Sequence, residues 1–203
     1  MPDPRCEVCG GPLESAVSDA TRCARCLAHP PRYRVARTIA RYRTTAEDEP
    51  GSLPALIRRH KYGLDQSVGR ALVEYMGDRL LVSADDYDVV IPVPLHWRRL
   101  WWRGFNQAAL LAAEVARRLD LPLDTTAMSR RRFTAPQTSR HHGERVKNVR
   151  RAFAVTNPER VRNRRVLIVD DVMTTGATVD ECARVLLAAG AACVDVFTLA
   201  RVV

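Results

Sequence analysis

VLIVDDVMTTGATV, residues 166–179, decides the reading of this chain. Four apolar residues, Val166 to Val169, run straight into Asp170 and Asp171. A run of this kind reads as a short strand over 166–169, buried on both faces of a parallel sheet. A loop of small hydroxyl residues follows, and then helical spacing over 176–189, stopped by Gly190. In an open parallel sheet, ligands gather at the carboxyl ends of the strands, where the two acids fall. The helix start beyond them offers unpaired backbone N–H groups and a partial positive charge, which suit a phosphate. Gly176 lets the backbone approach an anion closely, and Thr174, Thr175 and Thr178 add hydroxyl donors. Carboxylates would repel that phosphate, so they are expected to accept from sugar hydroxyls or to help hold Mg²⁺. A ligand with a 5′-phosphate and vicinal ribose hydroxyls satisfies both halves. The chain has no GxxxxGK[ST] and no GxGxxG after a strand, which excludes a triphosphate P-loop and a dinucleotide fingerprint.

Outward from this stretch, strand and helix patterns alternate from residue 87 to the end, the signature of a parallel α/β sheet. YDVVIPVP (87–94) reads as a strand, GFNQAALLAAEVARRL (104–119) as a helix, LPLDTTAM (121–128) as a possible strand, and CVDVFTL (193–199) as another strand. Upstream, RVARTIARYR (34–43) has strand character, and LPALIRRHKY (53–62) has helical spacing closed by Gly63. A second helix is expected from Gln66 to about Val82. With 46% hydrophobic and 27% charged residues, the 203-residue chain has the composition of a folded globular protein rather than a disordered one. No apolar run reaches the length of a membrane span, so no membrane insertion is expected. The opening MPDPRCEVCGG lacks the pattern of a targeting leader, so the expected address is cytoplasmic.

The net charge of +9 is concentrated. Residues 130–165 hold twelve Arg or Lys against two acids, a net +10, which points to an anion site, either a phosphorylated small molecule or a nucleic acid. A solvated surface remains the bland alternative. The loop of about twenty residues after Met128 is long for a compact domain, as functional loops are. Trp97, Trp101 and Trp102 lie beside Arg98, Arg99 and Arg103. They suit base stacking, or packing against a neighbouring subdomain or partner. His141-His142 suits a metal, but a pair in a basic loop reads more simply as solvated.

Six cysteines divide into two kinds. Cys6-x-x-Cys9 and Cys23-x-x-Cys26, thirteen residues apart, have the spacing of a closed structural zinc site, four thiolates leaving no open position. Gly10 and Gly11 suit a turn that passes close to sulfur. Disulfides fit poorly without a secretion signal, and two pairs in one polar segment suit a metal better than redox couples. Cys182 and Cys193 sit in apolar periodic runs, as buried small hydrophobes do.

VLIVDDVMTTGAT resembles the phosphoribosyl-pyrophosphate (PRPP) motif of type I phosphoribosyltransferases. A wider resemblance, to the ComF family of competence-associated proteins, rests on CEVC and CARC, HKYG (60–63), VIPVPLHWRR (90–99), RGFNQA (103–108), TAPQTS (134–139) and Arg145-x-x-Asn148, in order along nearly the whole chain. The resemblance implies a type I phosphoribosyltransferase-like parallel sheet flanked by helices. A zinc ribbon-like segment (1–31) would precede the transferase-like domain (32–203), with a hood over about 34–82 and a core over about 87–203. It also implies roles. Asp170 and Asp171 would take the ribose hydroxyls, and Thr174, Thr175, Gly176, Ala177 and Thr178 the 5′-phosphate. Pyrophosphate would fall to the turn after VIPVP and to Arg98, Arg99, Arg103 and Asn106. Lys61 from the hood and Arg140 and Arg145 from a closing loop would assist.

Implied cofactors are structural Zn²⁺ and Mg²⁺ with PRPP. Implied partners are single-stranded DNA and a DNA-uptake helicase or another competence protein. Some purine-specific relatives carry an aspartate where this chain has Thr174, so no general base and no acceptor can be named. Two functions stay open: a PRPP-dependent transferase, and a non-enzymatic DNA- or partner-binding protein that keeps the PRPP fold.

Overall fold

The computed structural model describes residues 4–13, 21–42, 52–62, 66–133 and 147–202. Its centre is a four-stranded, all-parallel sheet of β1 (Ala36–Tyr42), β2 (Val89–Pro92), β5 (Arg165–Met173) and β6 (Cys193–Val202), in the order β1-β6-β5-β2. Parallel pairing requires long crossovers, and helices supply them. α2 (Leu53–Tyr62) and α3 (Gln66–Gly77) lie between β1 and β2, α5 (Gln107–Leu119) between β2 and β5, and α6 (Ala177–Ala188) between β5 and β6. A five-residue helix, α1 (Ala24–Ala28), belongs to the cysteine segment.

The apolar run in β5 is explained by burial on both faces. Val166 and Ile168 join one core with Val196 and with Val179, Cys182 and Leu186 of α6. Leu167 and Val169 join a second core with Phe197, Leu199, Val115 of α5 and Leu72 and Met76 of α3. The period of two sends alternate side chains to opposite layers. Among the described residues, no helix is long and apolar enough to cross a membrane.

Several elements depart from the sequence reading. β5 continues past Val169 to Met173, so the two acids lie inside the strand, because β6 pairs with it as far as Met173 opposite Arg201. The second upstream helix stops at Gly77 rather than near Val82. A Cβ at Gly77 would stand 2.5 Å from Arg118 Nε, so α5 crosses closely there. A separate short helix, α4 (Trp97–Arg103), stands where a turn was expected, and Gly104 ends it with φ 78°. The stretch 121–128 forms no strand of its own: Leu123 bridges to Val90, and Met128 opens the next strand. The basic stretch is not all loop: β3 (Met128–Arg130) pairs antiparallel with β4 (Phe153–Val155). TAPQTS, His141-His142, Arg140, Arg145 and Gly63 lie outside the described residues.

Candidate functional site

Pairing between β2 and β5 ends at Pro92 opposite Val169, closed by the Val93 N–H donating to the Val169 carbonyl at 2.9 Å. Beyond that point β2 turns away, and Asp170 sits beside the turn. Its carboxylate Oδ1 accepts from the Asp171 backbone N–H at 2.9 Å. The alternation along β5 puts Asp170 on the α6 face and Asp171 on the other. Asp170, Thr174, Gly176, Ala177 and Thr178 line a recess of about 20 Å³. Gly176 occupies the N-cap of α6 with φ 77° and, as a glycine, offers the helix start no capping side chain. The Ala177 N–H reaches Thr175 Oγ1 at a long 3.4 Å. The recess therefore combines a carboxylate, two threonines and the positive end of a twelve-residue helix.

The cations lie across the β2 turn. His96, 4% exposed, caps α4 by accepting from the Arg98 N–H at Nδ1 (3.2 Å). The Arg98 guanidinium lies 5.3 Å from the Trp97 ring centre and 5.8 Å from that of Phe133, and Arg99 lies 5.6 Å from Phe133. Burial pushes the Arg130 guanidinium below its ordinary range, and Arg99 adds to this while Asp170 opposes it. Arg99, Arg130 and Asp170 thus share one electrostatic neighbourhood. Burial also lowers His96, reinforced by Arg130, Arg98 and Arg99.

The remaining candidates are placed differently. Asn106 caps α5: Oδ1 accepts from the Ala108 N–H at 3.2 Å, and Nδ2 donates to the Val93 carbonyl at 3.1 Å. It therefore braces the β2 turn. Arg103 donates to Gln107 Oε1 at 3.4 Å and lines a separate hollow of about 650 Å³ between α3 and α5, with Arg70, Val73, Phe105 and Leu110. Lys61 is in α2, but its side chain is not among those described. Trp97, Trp101 and Trp102 are 64%, 84% and 66% exposed, so they do not pack into the body of the protein. Arg130, Arg25 and His96 entered the sequence reading only as parts of a basic run, of CARC and of VIPVPLHWRR, with no role of their own, and Tyr33 did not enter it, since nothing local marks a residue that reaches a site from a distant segment.

The sulfur atoms of Cys6, Cys9, Cys23 and Cys26 lie within 4.8 Å of one another. Cys9 Sγ and Cys23 Sγ are 3.8 Å apart. Zn–S bonds of about 2.3 Å at tetrahedral angles put sulfurs about 3.8 Å apart, so the residues fit such an ion. Burial raises the Cys6 thiol, but backbone N–H groups of Cys23, Cys9 and Val8 outweigh it and bring the value down to about 7. Gly10, with φ 66°, makes the turn, and a Cβ on Gly11 would lie 3.3 Å from Cys9 Sγ.

The phosphoribosyl transferase domain family matches residues 106–202, from α5 through β6. The DNA utilization protein YhgH of Escherichia coli K12 is 36% identical over 201 residues, covering 97% of this chain and 83% of that protein. The chain belongs to the ComF family. Competence protein F of Haemophilus influenzae, another ComF relative, is 32% identical over 204 residues, covering 98% of this chain and 85% of that one. This ComF similarity spans the cysteine segment, which the domain match leaves out. Among solved structures, the glutamine PRPP amidotransferase from B. subtilis complexed with ADP and GMP superposes on this ComF chain with a TM-score of 0.43, at 21% identity over 64% of this chain and 25% of that one.

Proposed function

We propose that this chain binds PRPP with Mg²⁺ and transfers its phosphoribosyl group to an acceptor. The observation that carries the reading is Asp170 lining one recess with Thr174, Thr178 and the start of α6, where β2 leaves the sheet. Asp170 and Asp171 accept hydrogen bonds from the ribose 2′ and 3′ hydroxyls. Residues 174–178 hold the 5′-phosphate through backbone amides and threonine hydroxyls. Arg98, Arg99 and Arg130, around the β2 turn, receive the pyrophosphate. The bond from ribose C1 to the pyrophosphate oxygen breaks with its electron pair leaving on pyrophosphate. An acceptor atom then bonds to C1 and gives up its proton to water. Fixed cations facing the leaving group stabilise charge that develops only as the bond breaks; one such donor is worth on the order of 3 kcal/mol of barrier. Mg²⁺ bound with PRPP supplies further neutralisation of that charge. The four cysteines hold a structural Zn²⁺, which supplies cross-linking and no chemistry at the recess.

The test is calorimetric titration with Mg-PRPP, followed by an acceptor screen that watches for pyrophosphate. Binding without turnover supports a PRPP sensor. No heat at saturating Mg²⁺ removes the reading.

A second reading is favoured by α4. Three exposed tryptophans interleaved with arginines form a stacking platform for single-stranded DNA. The relatives' names, DNA utilization protein and competence protein, agree with such a ligand. Binding of this kind weakens steeply with salt as counterions are released.

A further inference from the structure

The cysteine segment reaches the phosphate loop directly. Arg25, between Cys23 and Cys26, donates through Nη2 to the carbonyl oxygen of Thr175. Arg32 grips the first turn of α6: its backbone N–H donates to Asp180 Oδ1 at 2.6 Å, and its Nη1 to Oδ2 at 3.1 Å. The buried Tyr33 closes the gap, its hydroxyl 3.5 Å from where a Cβ on Gly176 would stand. The segment itself is fixed to the sheet, since the Ala36 N–H donates to the Val8 carbonyl at 2.7 Å and Arg201 Nη1 to the Cys9 carbonyl at 2.9 Å.

These contacts act on one peptide plane. In a trans peptide the C=O and the following N–H point in opposite directions. Holding the Thr175 oxygen toward Arg25 turns the Gly176 N–H away from the cysteine segment. Gly176 is free of the Cβ restriction, so this plane is the part of the loop most able to flip. A flipped plane would point a carbonyl dipole where the N–H had been, and a carbonyl repels an anion. The Arg25 guanidinium opposes that flip and adds positive potential behind the loop. Its own position depends on the turn between Cys23 and Cys26, which four sulfurs around one metal would lock.

We propose that Arg25 is a positioning residue for the 5′-phosphate, and that metal loading of the cysteine cluster sets the affinity of the 174–178 loop through it. The proposal rests on the PRPP reading of that loop. The phosphate site and the metal site are then coupled, although the metal touches no substrate.

The experiment uses the full chain in three forms: zinc-loaded wild type, wild type stripped by a chelator, and zinc-loaded Arg25→Ala. Each is titrated with ribose 5-phosphate and separately with inorganic pyrophosphate. Amide hydrogen exchange is followed over residues 174–179. Arg25→Ala is expected to keep its zinc, to weaken ribose 5-phosphate binding about tenfold, to leave pyrophosphate binding unchanged and to speed exchange in the loop. Stripped wild type is expected to match it. A general folding fault would weaken both ligands alike, and that outcome overturns the proposal. So does Arg25→Ala with wild-type ribose 5-phosphate affinity and wild-type loop exchange. If loaded wild type binds neither ligand, the PRPP reading falls with the affinity claim, while the exchange rates still decide whether Arg25 orders the loop. If stripping unfolds the chain, the zinc-loaded variant alone decides.

Discussion

Arg201 Nη1 donates to the Cys9 carbonyl oxygen at 2.9 Å, and its Nη2 lies 3.6 Å from Cys9 Sγ. The last turn of sheet in the chain is thereby joined to one of its first cysteines. Arg201 is only 6% exposed, so its charge needs a partner of opposite sign. A metal ringed by four thiolates carries net negative charge and provides one.

Arg201→Met should therefore lower metal affinity about 10- to 100-fold, the usual effect of removing a group that supports a ligand. Competition against a chromophoric chelator measures this. An unchanged affinity would show that the cation only packs.

Replacing both acids, Asp170→Asn with Asp171→Asn, should abolish PRPP binding, because amides cannot offer the ribose hydroxyls two charged acceptors. Single-stranded DNA binding should survive or strengthen, since two negative charges are gone. Calorimetry and a fluorescence-anisotropy titration of the same preparation read the two outcomes.

Gly176 and Gly104 form a natural pair. Both have positive φ, 77° and 78°, but a Cβ on Gly176 would lie 2.7 Å from Met173 Cε, while among the described residues nothing lies within 4 Å of one on Gly104. Gly104→Ala should cost only the backbone preference, about 1–2 kcal/mol. Gly176→Ala should cost more and should also weaken ribose 5-phosphate binding. Denaturant unfolding and calorimetry test the difference.

His96 makes stability depend on pH. Its folded value lies below the ordinary 6.5 because of burial first and then Arg130, Arg98 and Arg99. The unfolded chain binds the proton more readily, so this contribution is complete above pH 6.5 and is lost as pH falls through the folded value. Below pH 6.5 the melting temperature of wild type should drop faster than that of His96→Asn, which keeps a capping acceptor. Glu114, held at about 2 mainly by hydrogen bonds from Arg117, keeps its full contribution until pH falls to 4.5, so a loss between pH 6.5 and 4.5 does not come from Glu114. Parallel slopes for the two proteins would refute the assignment.

Replacing Trp97, Trp101 and Trp102 by alanine should weaken single-stranded DNA binding by about 1–3 kcal/mol for each base unstacked. Stability should hardly change, because all three are exposed. An unaltered DNA titration at low salt removes α4 as the platform.

Local signals were legible in the residues. The run Val166–Val169, the acids, the loop and the helical period after Gly176 are contiguous, and each reflects an interaction made within a few residues. The two Cys-x-x-Cys pairs are likewise local, because a tight turn sets the spacing of two sulfurs. α4 was not legible: periodicity is a trace of burial, and WRRLWWR has no buried residue. The end of α3 at Gly77 was not legible either, because the side chain that crowds that position is Arg118, forty-one positions away. The β3–β4 pairing in the basic stretch joins residues more than twenty positions apart, which no short pattern encodes.

The amino-acid order alone determined the family, the parallel sheet and the residue types at the recess, because strand burial, helix starts and cysteine turns are governed by near neighbours. Only the tertiary structure decided that the cysteine segment shares a core with α6 and that Arg25 meets Thr175 across 150 positions. Contacts of that kind form when distant segments pack, and their geometry follows from the whole sheet rather than from any one stretch of chain.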